Sequence, residues 1–493
     1  MKAIFILFDS LNRHALPIYG SDWAKAPNFE RLARRSVVFD NHWLGSAPCM
    51  PARRDMQTGR LSFLERMWGG IEPFEFHRTL PQLLKKKGVF SHIETDHYHY
   101  WYGGGEGYCN TFDTFAFHRG QEFDRWVSRV KPLEPPGPFI GRMDQYHLQN
   151  RSRFKTDADY PTPRTLAGAA QWLRENEGSD NWFLWVEAFD PHEPFDTPDA
   201  ELAAYNDTYG GPKYLLHKYG LVEKTPGSVE HDRNRYAATV TMADRWLGKL
   251  FDEIDRQNLW EDTLLVLTTD HGHFVGERGY NGKNLYHCYN VLAHIPLVVH
   301  LPADRCAGER RGQLTQNIDL LPTVCDYFGF PVEHAIHGRS WRPILDANQS
   351  NGREYCLYGW FGSSVNVTDG RFTYLRAPAR PDNQPLYAYG LMPSEFHGFW
   401  SPDECRRLEA GRFLRYADCP VWRFRCEGES REFIHENGLY DLGRDYEQTN
   451  NLACAPGSTP DELERQYADL LRRAMNENDS PLEQFVRMGL VSL

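Results

Sequence analysis

Ala3-Ile4-Phe5-Ile6-Leu7-Phe8-Asp9 is a run of six apolar residues that stops on an acid. So short and uniformly apolar a run reads as a strand buried on both faces, the habit of parallel sheets. It is too short for the hydrophobic part of an export signal, and no small-residue cleavage site follows, so a cytoplasmic protein is expected. The pattern returns at Trp182-Phe183-Leu184-Trp185-Val186 and at Thr263-Leu264-Leu265-Val266-Leu267-Thr268. Shorter strands are expected at 37–39 and 90–94, and at 295–299, where Pro296 argues for an edge or strand-start position. Between them lie helical patterns: 27–35, begun by Pro27, then 79–86, 165–175, 233–256, and 319–328, ended by Gly329. This alternation predicts a doubly wound, mostly parallel α/β sheet with helices on both faces.

The pattern changes after about residue 345. Short strands are expected at 354–358, 371–375 and 438–440, with Asp369-Gly370 as a hairpin signal, and terminal helices at 460–475 and 482–488. The expected division is a main α/β domain over 1–345 and a smaller α+β domain over 346–493, with a small antiparallel sheet. A long insertion at about 100–160 contains the loop Lys131-Pro132-Leu133-Glu134-Pro135-Pro136-Gly137-Pro138 and is placed over the active site.

Composition excludes several classes of function. The 493 residues carry 55 Lys and Arg against 67 Asp and Glu, a net charge of −12, which opposes nucleic-acid binding. Hydrophobic residues make up 41%, enough for a large core, while no apolar run reaches the ~18 residues of a membrane helix. The ten cysteines show no CxxC and no zinc-type spacing, so reduced thiols are expected, one of them special.

Ligands of open α/β sheets sit beyond the carboxyl ends of the strands. There the sequence places Asp9, then Thr95-Asp96-His97 and His99, then Asp190-Pro191-His192, then Asp270-His271-Gly272. Any one of these reads as a cap or turn residue. Four together on one edge point to a site, and two carboxylates with a histidine suit a hard or borderline divalent cation.

The most specific segment is Cys49-Met50-Pro51-Ala52-Arg53-Arg54-Asp55-Met56-Gln57-Thr58-Gly59-Arg60. Its Cys-x-Pro-x-Arg followed by Thr-Gly resembles the signature of the sulfatases, within the alkaline phosphatase superfamily. The resemblance extends to Ala26-Pro27-Asn28-Phe29, to Asp270-His271-Gly272 with Gly282-Lys283, to Ile318-Asp319-Leu320-Leu321-Pro322-Thr323 with His337-Gly338-Arg339-Ser340, and to Leu439-Tyr440-Asp441-Leu442. It implies an alkaline phosphatase-like fold and a cysteine oxidised after translation to formylglycine by a maturation enzyme.

A sulfate monoester resists attack because its oxygens repel nucleophiles. A hydrated aldehyde at position 49 offers one hydroxyl to attack sulfur, its pKa lowered by a neighbouring cation, and a second hydroxyl to eliminate sulfate afterwards. Position 49 also precedes an expected helix at 52–58, whose N-terminus favours anions. By resemblance, Asp9, Asp270, His271 and modified Cys49 hold one divalent metal, with calcium first and manganese or magnesium as alternatives. Arg53 binds the diol or the metal ligands. Lys283 is the cation on the sulfate oxygens, and His192 with His97 or His99 protonates the leaving group or holds the sulfate. Arg54 and Arg60 read as surface or helix-end residues.

The departures from the family pattern are informative. Ser10 stands where a second aspartate is common, His271 where asparagine is usual, and Asn12 where an arginine is common. Thr95-Asp96-His97-Tyr98-His99-Tyr100-Trp101 replaces a Gly-Lys-x-His motif. These features resemble the phosphonate monoester hydrolase and choline-sulfatase-like branches, so a phosphonate monoester or phosphodiester hydrolase is the alternative. A member that binds sulfated ligands without turnover is a third reading, opposed by the intact signature. Tyr98, Tyr100, Trp101, Tyr102 and Tyr108 around Gly103-Gly104-Gly105, with Trp360, Phe361, Tyr387, Tyr389, Phe396, Phe399 and Trp400 later, suit sugar rings or core packing. The expected substrate is a sulfate ester of a small molecule or glycan, with a sulfated sugar favoured. A homo-oligomer is compatible with the sequence; nucleic acid and membrane partners are not expected.

Overall fold

The computed structural model describes residues 1–491 except 67, 104, 106, 136, 284–286, 396–397 and 427–435. Its centre is an eight-stranded sheet in the order Arg310–Arg311, Val37–Phe39, Leu297–His300, Thr263–Thr269, Lys2–Phe8, Trp182–Ala188, Phe90–Thr95, Thr114–Phe117. All neighbours pair in parallel except Leu297–His300, which runs against both strands beside it.

Why the central strands are apolar throughout is plain from where their side chains go. Ile4, Ile6 and Phe8 enter one core with Leu184, Val186, Leu265 and Leu267. Ala3, Phe5 and Leu7 enter the other with Phe183, Trp185, Leu264 and Val266. The first core is closed by the helices Pro27–Ala33, Pro161–Glu175 and Ser228–Arg256, the second by Cys49–Thr58, Leu80–Lys86 and Leu320–Tyr327. Burying each large apolar side chain is worth roughly 1.5–3 kcal/mol, so period-2 burial on both faces drives the doubly wound arrangement.

Two expectations need refinement. Leu297–His300 is an interior strand, so Pro296 sits at a strand start and not at an edge; its carbonyl accepts a hydrogen bond from Thr268 Oγ1 at 2.7 Å. The helix expected at 165–175 begins at Pro161, because Pro161 and Pro163 lie in a first turn whose N–H groups have no intrahelical partner.

A second sheet takes the order Gly438–Asp441, Phe372–Arg376, Val365–Thr368, Cys356–Trp360, Ser46–Ala47. Asp369-Gly370 does turn a hairpin, but it joins Phe372–Arg376 to Val365–Thr368, a strand the sequence reading did not pick out. Gly370 supplies the positive φ of 89°, and Asp369 Oδ1 accepts the Phe372 N–H at 2.8 Å. Helix Glu462–Glu477 packs Tyr467, Leu471, Ala474 and Met475 against this sheet. The edge strand Ser46–Ala47 pairs in parallel with Cys356–Trp360, so the residues just before Cys49 are held by the C-terminal sheet. Within 100–160, Thr114–Phe117 forms the far edge of the central sheet. Among the described residues, no helix is long and apolar enough to cross a membrane.

Candidate active site

Strand register brings the first two acids together. Phe8 pairs with Thr269, so the residues that follow, Asp9 and Asp270, leave adjacent parallel strands side by side although 261 positions apart. Cys49 opens the helix Cys49–Thr58 and His271 follows Asp270. One ligand atom from each of Asp9, Cys49, Asp270 and His271 lies within 4.8 Å of the other three, and all four residues are buried. Cys49 Sγ is 3.3 Å from His271 Nε2 and donates towards Asp9 Oδ1 at 3.8 Å.

His271 Nδ1 is 2.7 Å from the Gly272 carbonyl. That bond puts the proton on Nδ1 and leaves Nε2 as a ligand atom, the usual arrangement of a metal-binding histidine. Burial pushes its pKa down, in keeping with a neutral ring.

Arg53 lies one helical turn after Cys49 and faces the same way. Its Nη1 donates to the Cys49 carbonyl at 2.9 Å and to Asp270 Oδ2 at 2.5 Å, its Nη2 to Asp9 Oδ2 at 3.0 Å, and its Nε to Glu187 Oε1 at 2.5 Å. Three buried carboxylates thus converge on one guanidinium. With Lys283 included, the group still carries more negative than positive charge, which a divalent cation offsets, and its O and N donors fit such an ion. Burial works to raise the Asp9 pKa, but Arg53, His192, His97 and Lys283 outweigh it and hold the carboxyl well below the ordinary range. Burial and then Asp9 push the Cys49 thiol well above its ordinary value.

Lys283 Nζ donates to Ser10 Oγ at 3.3 Å and lies 3.6 Å from Cys49 Sγ. Burial opposes its charge, yet Cys49, Tyr219, Glu193 and Asp9 hold it well above the ordinary lysine value. Ser10 donates to Asp9 Oδ1 at 2.7 Å and its N–H to Asp270 Oδ1 at 3.0 Å, so this serine braces both acids. His97 Nε2 is 3.6 Å from Asp9 Oδ2, and His99 Nε2 is 3.4 Å from Glu122 Oε2. Burial pushes both rings well below the ordinary histidine value, with Arg53 next for His97 and His192 next for His99. His192 packs its ring on Phe189, donates Nδ1–H to the Glu193 carbonyl at 2.6 Å, and forms a second buried cluster with Glu122 and Glu193.

Other expectations resolve differently. Asp96 and Asp190 follow strands but do not join the cluster: Gln121 Nε2 bonds both, at 3.1 and 3.3 Å, and Thr162 Oγ1 bonds Asp96 at 3.0 Å. Arg54 and Arg60 are not surface residues. Arg54 is buried in a bidentate pair with Glu75, and Arg60 pairs with Asp479 and lies over the Tyr416 ring. Tyr100 and Tyr108 are core residues, whereas Trp101 and Phe399 are 48% and 71% exposed. Gly104 and Phe396 lie outside the described residues. The sequence reading missed Glu187. A charged residue within a strand that is otherwise apolar was the available signal, since a buried carboxylate needs a partner.

The sulfatase family model matches residues 2–330, and the model of the N-sulphoglucosamine sulphohydrolase C-terminal region matches 276–407. The choline-sulfatase of Rhizobium meliloti is 23% identical over 422 residues, covering 77% of this chain and 78% of that protein. The N-acetylglucosamine-6-O-sulfatase of Bacteroides thetaiotaomicron is 24% identical over 407 residues, covering 70% of each. The phosphonate monoester hydrolase of Agrobacterium radiobacter superposes with a TM-score of 0.65 at 17% identity, covering 97% of this chain and 96% of that one. A structure in complex with D-glucosamine-2-N,6-O-disulfate also gives 0.65, at 16% identity and 97% and 98% coverage. With its signature cysteine set among strand-end acids and its family match spanning the central sheet, the chain belongs to the sulfatase family, hydrolases of sulfuric ester bonds.

Proposed function

We propose that this chain hydrolyses sulfate monoesters with residue 49 converted from cysteine to formylglycine, beside one divalent metal ion. The observation that carries this reading is the buried meeting of Cys49, Asp9, Asp270 and His271, with Lys283 Nζ 3.6 Å from the sulfur. Asp9, Asp270 and His271 would hold the ion with residue 49, calcium being our first assignment and manganese, which takes an imidazole ligand more readily, the second. When present, the ion and the modified side chain supply an activated oxygen nucleophile.

Each remaining residue has its own task. Arg53 fixes the carboxylates of Asp9 and Asp270. Lys283 binds an ester oxygen and meets the negative charge that develops there. His192 offers Nε2, since its Nδ1 is committed to a carbonyl, and serves the leaving oxygen. His97 and His99 shape the wall beside Asp9 and contribute to holding the sulfate. A sulfated sugar is our substrate assignment: Trp101 and Phe399 present exposed rings, and the Phe399 ring lies 3.4 Å from where a Cβ on Gly103 would stand.

We assign the protein to the cytoplasm, in keeping with buried free thiols at Cys109, Cys288, Cys325 and Cys356. We also divide the chain near residue 345. Hydrolysis of phosphonate monoesters or phosphodiesters by the same groups is the second reading, favoured by the equal superposition on a phosphonate monoester hydrolase. Mass spectrometry of the peptide around Cys49 after co-expression with a maturing enzyme tests the first reading. Sulfate release from a panel of sulfated sugars, against turnover of an aryl phosphonate monoester, separates it from the second. An unmodified thiol in a fully active protein overturns the formylglycine assignment.

A further inference from the structure

Glu187 is fully buried on the strand Trp182–Ala188, between Leu7 and Thr95 of the neighbouring strands, and its carboxylate bonds Arg53 and Tyr100. Its Oε1 accepts Arg53 Nε–H at 2.5 Å and its Oε2 accepts the Tyr100 hydroxyl at 2.7 Å. Tyr100 is itself fully buried and stacked on Tyr108. Both oxygens of Glu187 are therefore occupied, and both partners are fixed by packing.

The consequence lies in the geometry of a guanidinium. Its N–H groups form a rigid planar fork, so pinning the Nε edge fixes where both Nη groups point. In Arg53 those two groups go to Asp9 and Asp270. Ser10 stands beside Asp9 and brings no charge to the first ring of ligands. The third carboxylate of the cluster is thus set on the far side of Arg53, where it neutralises the arginine that would otherwise repel a cation.

We propose that Glu187, held by Tyr100, is a positioning residue: through Arg53 it sets the orientation and net charge of the Asp9–Asp270 pair and thereby the affinity for the metal ion. This rests on the metal reading of the site given above. Loss of a partner in the outer ring around a metal site commonly weakens metal binding by about 10–100-fold.

The test is titration of the matured protein with calcium(II) and with manganese(II) against a competing chelator, alongside thermal unfolding. Glu187→Gln is expected to weaken binding by about 10–100-fold, with KM for a sulfate ester at saturating metal unchanged to within about twofold. Tyr100→Phe removes only the hydroxyl and is expected to lose a smaller factor. Arg53→Lys and Glu187→Gln together are expected to lose no more than the worse single variant, because both act through one fork. A merely structural role would lower the melting temperature and leave the metal dissociation constant alone. If Glu187→Gln fails to fold, Tyr100→Phe decides. Folded variants that bind metal as the wild type does, or losses that multiply in the double variant, overturn the proposal. A wild-type protein that binds neither ion refutes instead the metal reading on which it rests.

Discussion

Lys283 Nζ lies 3.6 Å from Cys49 Sγ, across 234 residues of chain. On the proposed function, a fixed cation beside residue 49 stabilises charge that develops on the ester oxygens, and removing one such donor typically costs about 10²–10³ in kcat. Lys283→Ala is therefore expected to lower kcat for a sulfate ester by that factor. Steady-state kinetics on the folded variant check this, and a loss confined to KM would assign the lysine to ground-state binding only.

Asp270 offers one oxygen to Arg53 and stands beside His271 and Cys49. Asp270→Asn keeps the shape and removes the charge. The variant is expected to come out of purification with its metal content reduced, and its activity to recover in part at high added metal. Elemental analysis and a metal titration of activity check it; unchanged metal content would mean the ligand set is drawn wrongly.

Gly272 follows His271, and its N–H donates to the Leu292 carbonyl at 2.9 Å. A Cβ there would stand 1.8 Å from the Val291 carbonyl oxygen and 2.6 Å from Asn12 Oδ1. Backbone cannot yield to a clash of that size as a flexible side chain does. Gly272→Ala is expected to destabilise the fold by about 3 kcal/mol or more, beyond ordinary overpacking, and to disturb His271 with it. Denaturant unfolding measures it, and a loss under about 1 kcal/mol contradicts the packing described.

His42 is buried between Thr315 Oγ1 at 2.9 Å and Asn317 Oδ1 at 3.1 Å. Burial pushes its pKa down to about 3, against the Asn317 hydrogen bond that works to raise it. The folded value lies below the unfolded one, so no stability depends on this ring above about pH 6.5. As pH falls from there towards 3, the unfolded chain takes up a proton that the folded protein refuses. The loss is on the order of 2 kcal/mol by pH 5. Unfolding free energies between pH 7.5 and 5 are expected to fall by at least this much, since His97, His99 and His271 are depressed in the same direction, and His42→Asn is expected to remove only the share that belongs to His42.

The candidate site divides cleanly by what kind of information each part needed. Cys49 and Arg53 are legible because the Cys-x-Pro-x-Arg segment resembles the sulfatase signature, and a single helical turn keeps the two side by side. Asp9 and Asp270 are legible because an apolar strand ends on each of them, and the carboxyl edge of a parallel sheet is where such ends collect. Asp96 and Asp190 carried the same signal and turned out to brace a loop through Gln121 and Thr162. The strand-end pattern does not say which way a side chain leans. Arg54 and Arg60 read as surface or helix-end residues; Arg60 does follow the helix end at Thr58, but both are buried, which the sequence does not display because their partners Glu75 and Asp479 are distant or unremarkable in it.

The sequence by itself determined the doubly wound sheet and the acids at the strand ends, because these follow from local periodicity, and it marked Cys49 through a segment that resembles the sulfatase signature; the helix expected at 52–58 begins earlier, at Cys49 itself. Only the tertiary structure decided that Glu187 and Tyr100 stand behind Arg53, that Ser10 braces two aspartates, and that Ser46–Ala47 ties the segment before Cys49 to the C-terminal sheet. Those relationships depend on register and side-chain packing between segments far apart in the chain, and neither leaves a period that a single sequence displays.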